Sequence, residues 1–401
     1  MHVTQKISDD IIYVGASDKR LSLFENLFPI PRGISYNSYI IKDEKTALID
    51  TADYSVSRIF LENIKYALDG GNLDYIIINH MEPDHAASLQ LILERYPSAT
   101  VVGTAKTMQM LSQFFDSADA IKTYSVKESD TLSLGKHELR FFMAPMVHWP
   151  EVMVTYDSLE RVLFSADAFG TFGSLNGNIF NDEYDIDKDW IGDYRRYYSN
   201  ICGKYGAQVQ VLLKKASALD IDTICPLHGP VWRSDLAYII NKYDLWSKYE
   251  PEEKSVMIAY ASIYGNTENA AYCVANNLAQ NGVRNIAMYD VSSTDVSELI
   301  SEVFRCSHII IMSSTYNLGI YPKMHSFITD MQALAVSNRT FSVIDNGTWA
   351  PTAGKKIREE LEKLKDVRIS GNTLTVKSTL KDSDAQVLKS IADEIAAEIK
   401  D

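Results

Sequence analysis

The segment Tyr75-Ile76-Ile77-Ile78-Asn79-His80-Met81-Glu82-Pro83-Asp84-His85 decides how the first half of the chain is interpreted. Its apolar start is the short continuous run typical of a buried strand. Four side chains that can bind a metal then follow within six residues. Any one histidine is more often a structural or surface residue, but four such side chains directly after a buried strand are hard to explain by chance. The segment therefore predicts a metal site.

Three more metal-binding side chains occur later in the first half. His148, Asp167 and His228 each follow a predicted strand. Loops at the carboxyl ends of strands in an open α/β sheet converge on one crevice, so these side chains can meet the first four there. Seven candidate ligands exceed what one tetrahedral ion uses, and a carboxylate can bridge two cations roughly 3.5 to 4 Å apart. We therefore expect two metal ions.

The remaining histidines lack neighbours in the sequence that commonly bind metals. We expect structural or surface roles for them. They are His2, His137, His308 and His325.

A charged stretch with a proline, Trp246 to Lys254, separates two apolar regions and is typical of a linker. It predicts two domains, residues 1–250 and 251–401, which agrees with the length of 401 residues. In the first half, helical stretches at 55–68 and 86–95 alternate with short β-type runs, which predicts an α/β domain whose early strands form hairpins. These runs are 11–14, 38–41, 46–49, 75–78, 100–102, 139–143, 162–164 and 223–225.

The second half is more regular. Each of its apolar runs leads into a loop and then a helical pattern, the alternation typical of a parallel doubly wound sheet. The runs are 256–260, 286–289, 308–312 and 340–344.

Composition excludes several classes of function. Arg and Lys total 39 against 53 Asp and Glu, and the resulting net charge of −14 disfavours binding to nucleic acid or anionic membranes. No run of 18 uncharged apolar residues occurs. Four dispersed cysteines without a C-x-x-C pair exclude a zinc ribbon and a dithiol site, and we expect a cytoplasmic protein with reduced thiols.

Three loops after predicted strands of the second half are rich in hydroxyl, amide and glycine residues. The first precedes a helical pattern, where a phosphate group would be stabilised, although such a cluster alone is more often a helix N-cap. It contains neither a P-loop nor a dinucleotide fingerprint. Together the loops resemble the phosphate loop and the two isoalloxazine loops of short-chain flavodoxins. Their residues are Ser262, Tyr264, Gly265, Asn266 and Thr267; Ser314, Thr315, Tyr316, Asn317 and Gly319; and Asn346, Gly347, Thr348 and Trp349.

The metal-binding residues of the first half resemble those of the metallo-β-lactamase fold, whose zinc hydrolases usually have histidine at the position of Glu82. A carboxylate there favours iron or manganese over zinc. This change, joined to a flavodoxin-like half, is similar to the flavodiiron proteins (A-type flavoproteins). The resemblance covers almost the whole chain. It implies an N-terminal metallo-β-lactamase-like αββα sandwich followed by a flavodoxin-like doubly wound parallel sheet.

The resemblance also implies a role for each residue. His80, Glu82 and His148 would bind one iron, Asp84, His85 and His228 the other, with Asp167 as the bridge. FMN would occupy the three loops of the second half, with Trp349 over one ring face, and Trp149, Tyr197 and Tyr198 would be possible pocket residues near the irons. Many members have a Phe-His-Gly near residue 24, where this chain has Leu23-Phe24-Glu25-Asn26.

The implied activity is reduction of O₂ to water or of NO to N₂O, with electrons passing through FMN. They would come from an external donor such as a rubredoxin or a reduced deazaflavin, because no rubredoxin module with paired cysteines follows the second half. A head-to-tail homodimer or a dimer of dimers is implied as well. Two alternatives remain open. One is a zinc hydrolase of the lactamase fold with a flavodoxin-like appendage, against which Glu82 argues, and the other is a non-catalytic electron carrier with a structural metal, against which the surplus of ligands argues.

Overall fold

A computed structural model describes residues 2–116 and 118–400 of the chain. The chain forms two compact units, the first made of Met1–Tyr198 and Ala207–Asp244 and the second of Ser199–Gly206 and Leu245–Asp401. The predicted boundary at residue 250 therefore differs from the observed one by a few residues. No sequence pattern indicated that the short segment Ser199–Gly206 would join the second unit.

The first unit contains short strands and helices. Its strands are β1 (Gln5–Lys6), β2 (Ile11–Tyr13), β3 (Ala16–Asp18), β4 (Leu23–Phe24), β5 (Phe28–Pro29), β6 (Ile34–Tyr36), β7 (Tyr39–Ile41), β8 (Ala47–Ile49), β9 (Tyr75–Ile77), β10 (Thr100–Thr104), β11 (Thr123–Val126), β12 (Thr131–Ser133), β13 (Glu138–Met143), β14 (Met153–Asp157), β15 (Val162–Phe164) and β16 (Thr223–Cys225). Its helices are α1 (Ser57–Leu68), α2 (Pro83–Ala86), α3 (Leu89–Arg95), α4 (Ala105–Phe114), α5 (Ile186–Asp189) and α6 (Ile191–Tyr197), followed by α7 (Gly206–Ala216) and α8 (Leu236–Ser247), which cross the boundaries between units.

Two sheets form the core of the first unit. One has seven strands in the order β1-β2-β7-β8-β9-β10-β11, and the other has five in the order β12-β13-β14-β15-β16. The rings of Tyr39 on β7 and Phe164 on β15 are 5.4 Å apart, so the sheets face each other across an apolar core. Antiparallel pairing of β1 with β2 and of β7 with β8 confirms the predicted hairpins.

The second unit has one parallel sheet with helices on both faces. Its strands are β17 (Glu253–Ala261), β18 (Ala287–Asp290), β19 (Cys306–Ser314), β20 (Thr340–Asn346) and β21 (Arg368–Val376), and its helices are α9 (Asn266–Gln280), α10 (Val296–Arg305), α11 (Pro322–Ala333), α12 (Ala353–Leu361) and α13 (Asp382–Lys400). The strand order β18-β17-β19-β20-β21 is that of flavodoxin-like sheets, so the predicted doubly wound sheet is confirmed.

The segment Ser199–Gly206 is held to the second unit by specific contacts. The Tyr249 hydroxyl donates to the Gly203 carbonyl at 2.8 Å, and the Asn200 amide donates to the Ser297 carbonyl at 3.2 Å. A Cβ at Gly206 would lie 2.3 Å from the Ser247 carbonyl oxygen, so only glycine allows this close approach.

Every strand run predicted from the sequence overlaps an observed strand. Two of the strands that were missed carry mixed patterns. Strand β14 contains Thr155 and Asp157, both fully buried, and β21 alternates irregularly and is partly exposed at the edge of its sheet. Within the described residues, no helix combines the length and hydrophobicity needed to cross a bilayer.

Candidate metal centre and cofactor cavity

The loop after β9 is positioned by a buried carboxylate. Asp50, directly after β8 and in the left-handed backbone region, accepts hydrogen bonds from the backbone N–H groups of Asn79 and His80 at 2.7 and 3.1 Å. Full burial raises the pKa of Asp50 to about 6, although these hydrogen bonds oppose the shift. The Thr51 hydroxyl donates to the His85 carbonyl at 2.7 Å, so both ends of the loop are fixed to the same strand end.

The first group of metal-binding side chains comprises His80, Glu82, His148 and one oxygen of Asp167. The Nε2 atoms of His80 and His148 lie 3.1 and 3.0 Å from Glu82 Oε2. They lie 3.2 and 3.1 Å from Asp167 Oδ2. Two nitrogen donors and two carboxylate oxygens therefore converge on one small volume, and all four residues are buried.

The second group comprises Asp84, His85 and His228 and faces the other oxygen of Asp167. Asp84 Oδ2 lies 3.2 Å from Nε2 of both His85 and His228, and those two nitrogens are 3.1 Å apart. Asp167 Oδ1 lies 3.1 Å from His85 Nε2 and 3.6 Å from His228 Nε2. Asp167 therefore lies between the groups, with one carboxylate oxygen toward each.

The donor set fits two metal ions. Both carboxylate oxygens of Asp84 and Oδ1 of Asp167 are buried and lack a hydrogen-bond partner, which is costly unless a cation is bound there. Burial alone would lower the pKa of His85, but the Asp84 and Asp167 carboxylates raise it to about 10. Likewise Asp167 and Glu82 raise the pKa of His148 to about 9 against its burial. The same concentration of negative charge would attract metal cations.

The rings of two of the histidines are oriented by polar contacts at Nδ1, on the side away from the centre. Glu151 Oε1 lies 2.8 Å from Nδ1 of His80, and Nδ1 of His228 donates to the Ser35 carbonyl at 2.7 Å. With Nδ1 occupied, each ring presents Nε2 to the centre, the usual arrangement for metal-binding histidines. Sequence reasoning missed Glu151, because it reaches His80 from the loop between β13 and β14 and leaves no local pattern.

Glu25 also reaches the centre. It lies in the turn between β4 and β5 in the left-handed backbone region, and its carboxyl group is close to that of Glu82. The residue as a whole is exposed, but its carboxyl group is turned inward, and burial together with the Glu82 carboxylate raises the pKa of Glu25 to about 8. An acidic side chain therefore lies beside the first group of metal-binding side chains.

The three predicted pocket aromatics differ in their surroundings. The Trp149 ring lies 5.4 Å from His80, and the Tyr197 ring lies 5.5 Å from His228. The ring of Tyr198 instead packs against Tyr243 at 4.9 Å.

Two of the histidines expected to have structural or surface roles have acidic neighbours in space. Asp10, Glu160 and Asp157 approach His137, and Glu398 lies 3.0 Å from His308 Nε2. These contacts come from distant parts of the chain and leave no local sequence pattern. Lys136 forms an ion pair with Asp10 beside His137, so the acidic charge there is already partly neutralised.

In the second unit, the three predicted loops line one cavity at the carboxyl end of the sheet. Ser262, Tyr264, Asn266 and Thr267; Ser314, Thr315 and Asn317; and Asn346, Gly347, Thr348 and Trp349 line it. Gly265, Tyr316 and Gly319 belong to the same loops but do not line the cavity. Ile263, Leu318, Ala350 and Ser378 were missed. Ser378 follows β21, the strand that the sequence did not predict.

The first loop has features suited to binding an anion. Gly265, at the N-cap of α9, has a φ of +85° and donates its N–H to the Ser262 hydroxyl at 3.0 Å. The Thr267 and Ser314 hydroxyls are 2.9 Å apart and connect the first two loops. Hydroxyls around a helix N-terminus without a lysine suit the phosphate group of a bound mononucleotide.

The third loop is joined to the chain after β21. The Asn346 side chain accepts from Ser378 N at 3.1 Å and donates to its carbonyl at 2.9 Å. Trp349 is 82% exposed at the cavity edge, a position from which its ring could cover a flat ligand.

Comparison with known proteins adds three findings. Residues 34–229 match the family model described as ODP family beta lactamase, and residues 258–389 match the flavodoxin model. An uncharacterized protein of Methanocaldococcus jannaschii is 31% identical over 93% of each chain. The anaerobic nitric oxide reductase flavorubredoxin of Escherichia coli is 31% identical over 89% of this chain and 74% of its own length.

Solved structures agree over nearly the whole length. The rubredoxin oxygen:oxidoreductase of Desulfovibrio gigas superposes with a TM-score of 0.91 at 27% identity, covering 99% of this chain and 98% of that one. The flavodiiron protein of Giardia intestinalis gives 0.93 at 25% identity, covering 99% and 97%.

Proposed function

The chain belongs to the flavodiiron protein family, an oxidoreductase family that pairs a flavin with two iron ions, and we propose that it reduces O₂ to water, NO to N₂O, or both. The observation that carries this proposal is the shared position of Asp167 between the two groups of metal-binding side chains. Two ions held by one carboxylate suit a reaction in which two small molecules or two oxygen atoms are handled side by side.

When bound, FMN and two iron ions would supply the reducing equivalents: two from the reduced flavin and two from the ferrous ions, enough to take one O₂ to two water molecules. The protein residues position and shield this chemistry. Glu151 and the Ser35 carbonyl hold the rings of His80 and His228, and the burial of all seven metal-binding side chains keeps bulk water away.

Glu82 supports iron over zinc. Its Oε2 contacts the Nε2 atoms of both His80 and His148, so a charged oxygen donor completes the first group where zinc hydrolases of this fold usually have a third imidazole. Harder, more anionic sites favour iron or manganese. A zinc hydrolase is the less favoured function.

The decisive experiment is metal analysis and a visible spectrum of the purified protein, followed by anaerobic NO consumption and O₂ consumption with one reduced donor. We expect two irons and one flavin per chain, and O₂ uptake without released peroxide or NO uptake yielding N₂O. Zinc in place of iron, with neither gas consumed, would contradict the proposal.

We further propose a head-to-tail homodimer or a dimer of dimers, with electrons supplied by a separate donor such as a rubredoxin or a reduced deazaflavin. The rim of the cofactor cavity supports an interface there, since five large apolar side chains at or beside it are exposed: Ile263, Tyr264, Tyr316, Leu318 and Trp349. Sedimentation should give at least twice the chain mass of 45.1 kDa. A fully active monomer would refute the assembly.

A further inference from the structure

A line of four oxidisable aromatic rings leads away from the metal centre inside the first unit. The Tyr197 ring lies 5.5 Å from His228, and Tyr194 is three residues earlier on α6, on the same face of that helix. The Trp232 ring is 5.7 Å from Tyr194, and its Nε1 donates to the Tyr194 hydroxyl at 3.1 Å. The Tyr238 ring stacks on Trp232 at 6.1 Å with an interplanar angle of 16°.

The line runs from the interior to the surface. Tyr197 and Tyr194 are 0% exposed and Trp232 is 1% exposed, whereas Tyr238 is half-buried. The Tyr238 hydroxyl donates to the carboxylate of Asp187, which is exposed. A phenol that can pass its proton to a carboxylate is oxidised more easily than one that cannot. The outer end of the line is therefore the place where an oxidising equivalent would come to rest.

Neighbouring aromatic rings are less suited to carry an oxidising equivalent to the surface. Trp190 carries the Arg32 guanidinium 4.4 Å above its ring, whereas Lys242 Nζ lies 5.7 Å from the centre of the Tyr238 ring, and a cation disfavours removal of an electron more strongly the closer it lies. The Tyr198 ring contacts Tyr243, and the Tyr243 ring contacts Phe169, whose phenylalanine ring is very hard to oxidise.

We propose that Tyr197, Tyr194, Trp232 and Tyr238 form a protective electron-transfer chain, which carries an oxidising equivalent from the metal centre to the surface when O₂ is reduced by too few electrons. The inference rests on the proposed function, because that reaction supplies the oxidant. It adds a second activity to this unit, the oxidation of small thiols at Tyr238, which would spare the metal-binding histidines.

The transfers balance as follows. Hydrogen peroxide accepts two electrons and two protons to give two water molecules, and Tyr197 would supply an electron that the bound metal and flavin do not. Each ring in turn is reduced by the next one outward, until Tyr238 has lost one electron and has passed its proton to Asp187. A thiol in solution returns a hydrogen atom to Tyr238 and becomes a thiyl radical. Two thiyl radicals then join as a disulfide, while Asp187 releases its proton to solvent.

The test treats the iron- and flavin-loaded protein with hydrogen peroxide and a nitrone spin trap, without any electron donor, and locates trapped radicals by peptide mass spectrometry. We expect the adduct at Tyr238. Trp232→Phe keeps an aromatic ring but interrupts the chain, so the adduct at Tyr238 should fall by an order of magnitude while oxidation of Tyr197 and loss of iron increase. Tyr243→Phe changes an equally buried tyrosine off the line and should behave like the unaltered protein.

Tyr238→Phe provides a second variant at a half-buried position that leaves the buried rings in place. In it the oxidation product should appear on Trp232, and thiols should no longer protect the iron centre. Iron-loaded protein with equal adduct at Tyr238 with and without Trp232, or with no adduct at Tyr238 at all, would overturn the inference alone. A protein that binds no iron would overturn the proposed function and the inference with it.

Discussion

At the scale of single residues, the metal centre depends most on Asp167. Its two oxygens face different groups of side chains, so it is the one residue that both groups share. The left-handed backbone at Ala166 and Phe169 turns the chain sharply around it, and the Ser165 hydroxyl donates to the Ala168 carbonyl at 2.8 Å. A tight turn thus holds the shared carboxylate in place.

Asp167→Asn should remove most of the bound iron while leaving the flavin in place. The amide keeps the shape of the carboxylate but supplies one neutral oxygen where two charged ones faced the histidines. Iron content by elemental analysis and flavin content by absorbance measure the two effects. Asp157→Asn is the matched control, because Asp157 is also fully buried beside a histidine, His137, outside the centre. Unchanged iron content in Asp167→Asn would contradict the assignment.

Gly229→Ala should misplace His228. Gly229 has a φ of +76°, and a Cβ there would lie 2.2 Å from Cγ2 of Thr171. We expect a loss of about 1 to 3 kcal/mol in the free energy of unfolding, and weaker iron binding. Adding Thr171→Ala removes the clashing methyl and should restore part of the stability, because only the backbone strain then remains. Urea unfolding measures both variants, and a double variant no more stable than Gly229→Ala would exclude the clash as the cause.

The seven candidate metal-binding residues could be predicted because each lies within eight residues of the end of a β-strand. Glu25 and Glu151 could not be predicted from the sequence. Glu25 belongs to a hairpin of two-residue strands too short to leave a pattern, and Glu151 contacts His80 from the loop between β13 and β14. Side chains that support a site from distant elements have no local signature.

At the scale of elements, the cofactor cavity depends on the end of one helix. Gly265 begins α9 with a positive φ, and this conformation places the Ser262 hydroxyl and the following N–H groups around the position expected for a phosphate. No atom lies within 4 Å of a Cβ built on Gly265, so glycine is needed there for its backbone conformation alone.

Gly265→Ala should therefore weaken flavin binding without any steric clash. Alanine resists the left-handed backbone by roughly 1 to 2 kcal/mol, about a tenfold loss in affinity if the bound loop needs that conformation. Flavin titration by fluorescence quenching measures it. The control is Gly371→Ala on β21, where a Cβ also meets nothing within 4 Å but φ is not in the left-handed region. Equal flavin affinity in both variants would contradict this role for Gly265.

The contact between β19 and α13 gives the second unit a pH dependence. His308 Nε2 lies 3.0 Å from Glu398 Oε2, and burial lowers the pKa of His308 despite this carboxylate. Near neutral pH the folded and unfolded states both keep His308 neutral. As the pH falls below about 6.5, the unfolded chain binds a proton there more readily than the folded one, so stability is lost.

His308→Gln should reduce that acid sensitivity. The amide can still donate to Glu398 but does not titrate. We expect the decrease in the unfolding temperature of the second unit between pH 7 and pH 5.5 to be smaller in the variant. Calorimetry at the two pH values tests this, and an equal decrease in both proteins would show that His308 does not contribute.

At the scale of the whole molecule, two units with separate cores should respond separately to their ligands. Removing iron leaves the buried carboxylates of Asp84 and Asp167 without a cation, which destabilises only the first unit. A metal at about a hundredfold its Kd stabilises by about 3 kcal/mol, and its removal should lower that unit's melting temperature by roughly 5 to 10 °C.

Differential scanning calorimetry can separate the two effects. Chelation should shift one transition and flavin removal the other. The metal-depleted Asp167→Asn variant serves as the control, since chelator should not shift its first transition further. A single transition that responds to both treatments would show that the units unfold together.

The segment Ser199–Gly206 bears on how such a protein can be taken apart. The chain passes between its units three times instead of once, so cutting it at a single position does not separate them. A gene cut at the linker would yield a flavodoxin-like fragment missing the partners of Tyr249 and Ser297. A fragment meant to fold as the second unit would therefore have to include those eight residues. An exchange of units between relatives would likewise succeed only if Ser199–Gly206 were exchanged together with the second unit.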